Sequence, residues 1–147
     1  MLYFAYGSNL NHQQMKNRCK GAKYLKKYNL NGFKLCFSHK TNYSVYGHAN
    51  IVKNKRSKVY GALWNITKND EKELDGYEGV HYNYYQKEYF FLKRKKVLVY
   101  VQNVYYIKKP NSTYLHTIIN GYKNCDIDLS KLSKTLSKYK IDYEVNW

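Results

Sequence analysis

Two short segments of the chain combine residue types that suit reaction chemistry better than packing. The first is Tyr6-Gly7-Ser8-Asn9-Leu10, which directly follows an apolar start of the chain. Glycine lets a ligand approach the backbone closely, and successive free N–H groups where a strand passes into a helix form a receptor for an anion or an oxyanion. Because Gly-Ser-Asn is also common in ordinary turns, this segment alone leaves both a turn and a receptor open.

The second segment is Leu74-Asp75-Gly76-Tyr77-Glu78-Gly79-Val80. Glu78 follows a predicted helix end, close to the negative end of the helix dipole and beside an aromatic ring, so we expect its pKa to lie above that of a free glutamate. A raised pKa suits a residue that must both take and give a proton near neutral pH. Taken alone, the segment also fits a solvated carboxylate in a turn.

The other reactive residue types show no pattern typical of a site. Ser8 has no histidine or acid in a recognisable nucleophile arrangement. The five histidines lack paired ligand spacing and the three cysteines include no CxxC pair, so neither a metal site nor a disulfide is predicted. We interpret Asp75 as a polar helix-end residue that stands near enough to orient a neighbour of Glu78.

The elements that position these segments are predicted to be short helices scattered among strands. Strands are predicted at residues 2–6, in two parts within 23–39 around a turn at 29–32, and at 47–52, 59–66, 84–92 and 96–107. Helices are predicted from about residue 9 or 11 to 19, from a cap at 67 to a stop at Gly76, at 113–120 with a stop at Gly121, and at about 130–139. This order indicates an α+β fold, a sheet with one packed face that curls into a small mixed β-barrel flanked by the helices.

The two chemical segments occur in an order and spacing that resemble the γ-glutamylcyclotransferase family, including the γ-glutamylamine cyclotransferases and AIG2-like proteins. The matching blocks are YFAYGSNL at 3–10, GHANI at 47–51, VYGALW at 59–64, LDGYEGV at 74–80, YY at 84–85, and the stretch 110–121. The resemblance covers about residues 2–123. Its first and fourth blocks are the specific ones, and the others fix the fold.

The resemblance implies a compact mixed barrel with a pocket at one side and assigns residues to that pocket. Glu78 matches the family's catalytic acid/base, and the loop at 6–10 holds the substrate's carboxylate and carbonyl through backbone groups. The implied substrate-binding residues are Tyr6, Gly7, Ser8, Asn9, Leu10, Tyr85 and Tyr114. Tyr82 and Tyr84 compete with Tyr85 for its place.

The implied reaction converts a γ-glutamyl amino acid or amine to 5-oxoproline and a free amine. The substrate carries its own nucleophile, the α-amino group, so one carboxyl group moves both protons and no metal, cofactor or covalent nucleophile is needed. The sequence does not identify the leaving group. The expected partner is therefore a small γ-glutamyl molecule.

Composition sets the broader expectations. The formal net charge is +16, but the cations are mostly lysines spread along the chain, with local runs only at 53–58 and 93–96. This distribution fits no nucleic-acid reading motif, so no specific nucleic-acid partner is predicted. No apolar stretch is long enough to span a bilayer, and the start of the chain lacks a secretory pattern, so we expect a cytoplasmic protein. We predict a single domain over residues 1–147 and make no prediction of oligomeric state.

Three alternatives from other classes stay open at this point. The chain fits a non-catalytic member of the fold that binds a small acidic ligand, a basic domain associated with nucleic acid, or an acyltransferase or hydrolase that uses Ser8. A glutamate at position 78 favours the enzyme over the first alternative, and the presence of both segments favours it over the second.

Overall fold

The computed structural model describes residues 1–139, which form a mixed α+β fold. The strands are β1 (Leu2–Ala5), β2 (Lys23–His39), β3 (His48–Asn65), β4 (Gln86–Leu92), β5 (Lys95–Val101) and β6 (Tyr106–Ile107). The α-helices are α1 (His12–Arg18), α2 (Lys68–Tyr77), α3 (Ser112–Asn124) and α4 (Ser130–Leu136), with 3-10 turns at Ser8–Leu10, Val80–Tyr82 and Ser137–Tyr139. The α+β prediction is confirmed, whereas the single-domain prediction reaches past residue 139 and stays a prediction.

The six strands form one sheet in the order β4-β5-β1-β3-β2-β6. β1 pairs in parallel with β5, and its other neighbour, β3, runs antiparallel to it. The sheet curls into a half-barrel whose edges are β4 and β6, so the predicted barrel is open on one side. Because the short central strand β1 stops at Ala5, the chain turns out of the middle of the sheet at residues 6–10, where the first chemical segment lies.

Two strands are longer than the sequence indicated. Residues 23–39 form one 17-residue strand instead of two strands around a turn, and β3 is likewise one strand of 18 residues. The register shifts between the pairs at Asn31 and Phe33, where Gly32 takes a positive φ of 86°. This bulge bends the strand without reversing it, because glycine adopts that backbone conformation at little cost.

Neither glycine that was expected to end a helix does so. α2 runs through the exposed Gly76 to Tyr77, and the left-handed residue that follows the helix is Gly79, with φ 64°. α3 runs through Gly121, where an added Cβ would come within 2.7 Å of the Asn11 nitrogen and of the Leu10 Cβ. Gly121 is therefore required for close packing of α3 against the loop that carries the first chemical segment.

A buried amide links two strands beyond the end of β1. The Asn50 side chain on β3 accepts a hydrogen bond from the Gln102 N–H at 2.8 Å and donates one to the Gln102 carbonyl at 3.1 Å. Asn50 is fully buried. Its side chain satisfies the N–H and the carbonyl of Gln102, which directly follows β5 and which β1 is too short to reach. Asn50 thus joins β3 to the end of β5 next to the cavity described below.

The helices within the described part of the chain are short. None of them combines the length and apolar character that a membrane-crossing helix requires. The cysteines at 19, 36 and 125 are free and buried.

Candidate active site

A cavity opens where β1 gives way to the 3-10 turn and α2 ends. Its lining residues are Tyr3, Tyr6, Gly7, Ser8, Asn9, Ala49, Glu78, Tyr85, Tyr100 and Tyr114. The enclosed space that a water-sized molecule can occupy is about 30 Å³. All empty space in the cavity, including the part open to solvent at its mouth, is about 320 Å³. The structure thus brings together six of the seven predicted substrate-binding residues and Glu78, which come from four separate parts of the chain.

Glu78 is held at this cavity by the way α2 begins and ends. Thr67 and Asp70 form a capping box at the start of the helix. At the other end Glu78 is the C-cap, and its N–H donates to the Leu74 carbonyl at 2.8 Å. The left-handed Gly79 then turns the chain away, so the carboxyl group at position 78 is carried on the rigid end of a helix.

Asn9 joins the two chemical segments across 69 positions of sequence. Its Nδ2 donates to Glu78 Oε1 at 3.2 Å and to the Tyr3 hydroxyl at 3.0 Å. Its Oδ1 accepts from Gln14 at 2.9 Å and from Arg18 at 3.2 Å. All four hydrogen-bonding positions of this buried amide are therefore used, and its orientation fixes one carboxylate oxygen of Glu78.

The surroundings of Glu78 change its acidity. Burial of the carboxyl group raises the pKa of Glu78 from 4.5 to about 7, because removal from water disfavours the charged form. The Arg18 cation acts in the opposite direction and keeps the pKa of Glu78 from rising further. A pKa near 7 lets one side chain hold both protonation states in useful amounts at neutral pH.

Tyrosines form the walls of the cavity, and their hydroxyl groups are tied to the sheet. The Tyr114 hydroxyl accepts from the Ala49 N–H at 2.9 Å, and the Tyr85 hydroxyl donates to the Ala49 carbonyl at 2.5 Å. The Tyr6 hydroxyl donates to the carbonyl of Tyr100. These bonds fix the orientation of three tyrosine rings in the cavity wall.

Two tyrosines considered as competitors for the place of Tyr85 lie elsewhere. Tyr82 is 74% exposed. The Tyr84 hydroxyl is 2.5 Å from His48 Nδ1 and does not line the cavity. Leu10 also does not line it, because its side chain is completely buried in the core.

Ser8 lines the cavity without the partners that a nucleophilic serine needs. Its hydroxyl accepts a hydrogen bond from Gln14 at 2.8 Å. Among residues 1–139, neither a histidine nor a carboxylate hydrogen-bonds to this hydroxyl. This geometry disfavours the hydrolase alternative, since a serine nucleophile requires an adjacent base.

Comparison with known proteins gives a match to one family over most of the chain. The model of the family "Gamma-glutamyl cyclotransferase, AIG2-like" matches residues 3–122. The chain belongs to this family. The predicted resemblance is thereby confirmed, and the match contains both chemical segments and every residue that lines the cavity.

The relatives of this cyclotransferase-family chain agree with that assignment. Human gamma-glutamylcyclotransferase is 36% identical over 83 residues, and the Bos taurus protein of the same name matches equally. These segments cover 54% of the present chain and 44% of each relative, so the chain spans less than half of the curated relatives it matches.

Solved structures extend the likeness to the complete fold. A structure of a gamma-glutamyl cyclotransferase has a TM-score of 0.79 and 27% identity, and the match covers 99% of this chain and 91% of that one. An uncharacterized human protein matches with the same TM-score and coverage at 28% identity. The half-barrel with short flanking helices is therefore the fold of this family.

Several residues of this family member's cavity were not identified from its sequence. Tyr3 and Tyr100 lie in strands predicted only as packing elements, and their rings meet edge to face at 5.8 Å. The Tyr100 hydroxyl donates to Asp75 at 2.7 Å, so Asp75 orients a tyrosine of the cavity wall. Gln14 and Arg18 lie outside the cavity lining but donate hydrogen bonds to Asn9. They stand four residues apart on α1 and therefore share one face of that helix, which is the sequence signal that could have identified them.

The described residues provide no obvious metal centre. Within residues 1–139, no three histidine, cysteine, aspartate or glutamate side chains lie close enough together to hold an ion. His12 lies against Tyr24 and Trp64, and His48 against Tyr114, so these two rings pack with aromatic side chains.

We expect Arg18 to set the pH dependence of this site. The Arg18→Gln variant loses the cation that lowers the pKa of Glu78, so that pKa should rise further and the acidic limb of kcat/KM should move to higher pH. Arg18→Lys keeps the charge and should show a limb close to that of the wild type. The measurement is a pH–rate profile of all three proteins, and an Arg18→Gln limb that stays in place or moves to lower pH contradicts the assignment.

Proposed function

We propose that the protein is a γ-glutamylcyclotransferase that releases 5-oxoproline from a small γ-glutamyl amine or amino acid. The observation that carries this proposal is the carboxyl group of Glu78, enclosed beside the 6–10 loop with its pKa raised to about 7. Family membership supports the same conclusion.

In the first step the α-amino group of the substrate attacks its own γ-carbonyl carbon. Glu78, as the carboxylate, accepts a proton from the amine as the new C–N bond closes the five-membered ring. The cavity holds the substrate folded, which replaces a bimolecular encounter by an oriented internal attack. Asn9 holds the carboxyl group of Glu78 in one orientation through its 3.2 Å hydrogen bond to Oε1.

The tetrahedral intermediate carries a negative oxygen that needs donors. The N–H groups of Ser8 and Asn9 stand at the start of the 3-10 turn, where no acceptor exists within the turn itself. The N–H of Leu10 donates to the Gly7 carbonyl and is already used. We therefore assign the oxyanion to the first two amides, and preorganised donors of this kind typically contribute on the order of 10² to 10³ in rate.

In the second step Glu78, now the carboxylic acid, gives its proton to the leaving nitrogen. The bond from the γ-carbon to that nitrogen breaks, and 5-oxoproline and the free amine depart. One residue thus acts in turn as base and acid, for which a pKa near the working pH is best suited. The reaction consumes no water and no external proton.

The test is product analysis after incubation of the wild-type protein with a panel of γ-glutamyl amino acids and γ-glutamyl amines. We expect 5-oxoproline from at least one member, and the best substrate identifies the leaving group. The matched control is the same substrate with its α-amino group acetylated, which lacks the nucleophile and should give no product.

Two results would count against this function. Free glutamate instead of 5-oxoproline would indicate hydrolysis by water. Absence of product from the entire panel, with tight binding of a γ-glutamyl compound, would favour the non-catalytic alternative. The expected cytoplasmic location is a prediction that fractionation of the source cells would test.

A further inference from the structure

A groove separate from the cavity of Glu78 lies between the β2–β3 ribbon and α4. The groove and the cavity share no lining residue. Its volume is about 270 Å³. The lining residues are Lys34, Leu35, Arg56, Ser57, Lys58, Val59, Tyr60, Tyr122, Lys131, Lys134, Thr135 and Lys138. The volume is close to that of a pocket for a small molecule.

Six of these residues are cations, and they come from separate elements. Lys34 lies on β2, Arg56 and Lys58 on β3, Lys131 and Lys134 on α4, and Lys138 in the turn that follows. No aspartate or glutamate among residues 1–139 lines the groove. The ion pairs of that same part of the chain use Lys27 and Lys87, which lie elsewhere.

Like charges gathered in one groove repel one another, and a bound anion would offset that repulsion. Contact with the Lys34 amine lowers the pKa of Lys138, and partial burial and the charges of Lys34 and Lys134 lower it further. The groove gathers these lysines around a common space.

The groove also fixes some of its cations against an aromatic ring. The Lys131 amine lies 5.2 Å from the centre of the Tyr60 ring, and the Lys58 amine lies 5.8 Å from it. Arg56 adds a planar guanidinium, which binds two oxygens of one phosphate at once. Cations held in position before binding lose less conformational entropy when an anion arrives.

We propose that this basic groove binds a compact, soluble anion that carries several phosphate groups. Several cations on two facing walls match several phosphates in one molecule, whereas a single small anion would leave most of them unpaired. The proposal is independent of the cyclotransferase activity.

Two other polyanions fit the groove less well. A membrane surface would need exposed apolar side chains beside the cations, and the large hydrophobic side chains that are strongly exposed in residues 1–139 lie outside this lining. A nucleic-acid strand tracks an extended positive surface, while these six cations face one concave space.

The test is isothermal titration calorimetry of the full chain with sodium tripolyphosphate at about 150 mM salt, where the Debye length of about 8 Å suppresses distant charges. The groove variant is Lys34→Gln/Lys131→Gln/Lys134→Gln. The matched control is Lys20→Gln/Lys68→Gln/Lys95→Gln, which removes three exposed lysines outside the groove and gives the same net charge.

We expect tripolyphosphate to bind the wild type and to bind the groove variant on the order of 10²-fold more weakly, through loss of charge-assisted contacts. The control variant should stay within about threefold of the wild type. A second variant on the other wall, Arg56→Gln/Lys58→Gln, should lose affinity as well. Thermal unfolding without ligand verifies that each variant is folded.

Three results would overturn the proposal. The first is no heat of binding to the wild type, and the second is an equal loss of affinity in groove and control variants, which would indicate net charge alone. The third is a single-stranded oligonucleotide that binds far more tightly than tripolyphosphate and depends on the same lysines. That result would replace the small anion by a nucleic acid.

Discussion

The Glu78→Gln variant is expected to release 5-oxoproline on the order of 10² to 10⁴ times more slowly than the wild type. Glutamine keeps the size of the side chain and still accepts the hydrogen bond from Asn9, but it neither takes nor gives a proton. The loss should appear in kcat, because the proton is transferred in the transition state and not in the bound ground state. The measurement is steady-state kinetics on the best substrate of the panel.

The unfolding free energy of Glu78→Gln shows whether a slower reaction reflects the missing carboxyl group or a damaged fold. A carboxyl whose pKa is raised from 4.5 to about 7 favours folding at low pH, and that contribution is lost as pH rises through about 7. Glu78→Gln should therefore be more stable than the wild type above pH 7, by on the order of 1–3 kcal/mol. The control is Glu73→Gln on the exposed face of α2, which should change neither rate nor stability appreciably.

The Gly7→Ala variant is expected to lose on the order of 10²-fold in activity, because a shift of about 1 Å in a reacting group has that effect. An added Cβ at Gly7 would lie 2.8 Å from the Ala49 Cβ and 3.4 Å from the Tyr114 hydroxyl. The loop must then move away from β3, which carries the Ser8 and Asn9 amides out of line with the substrate carbonyl.

Gly76→Ala is the matched control for that loop variant. Nothing lies within 4 Å of an added Cβ at Gly76, and the residue is exposed inside α2. This variant should keep full activity and gain about 0.5–1 kcal/mol in unfolding free energy from the better helix propensity of alanine. Full activity of Gly7→Ala would contradict the placement of the loop amides at the reacting centre.

The sequence located the two chemical segments because each is contiguous. Glu78, Gly7 and their neighbours stand in short blocks whose residue types carry the signal. The order of helices and strands also gave the α+β class correctly, since periodicity and caps are local properties. The Thr67 cap, for example, was identified from its own four-residue pattern and is present in the structure.

Contacts between distant parts of the chain could not be predicted from local sequence patterns. The hydrogen bond from Asn9 to Glu78 depends on the packing of α2 against α1, which no local pattern encodes. Gly121 was interpreted as a helix stop because its real requirement, the nearby Leu10 and Asn11, lies more than a hundred residues away in sequence. Tyr3 and Tyr100 were missed for the same reason, since a tyrosine in a strand is usually a packing residue.

The basic groove likewise combines residues that the sequence presents as scattered lysines. Lys34 and Lys134 are a hundred positions apart, and only the fold brings β2 and α4 together. From the sequence, lysines spread along the chain indicated only a basic protein surface without a specific partner. In the structure they line one groove, from which we infer a binding site for an anion.

The most direct test of the central claim is the ionisation of Glu78 itself, followed by ¹³C NMR of the glutamate side-chain carboxyl groups during a pH titration. We predict one glutamate with a midpoint of about 7 and the disappearance of its signal in Glu78→Gln. A titration in which every glutamate has a midpoint near the ordinary 4.5 would contradict the account, because Glu78 would then be a solvated carboxylate without the acidity that the reaction requires.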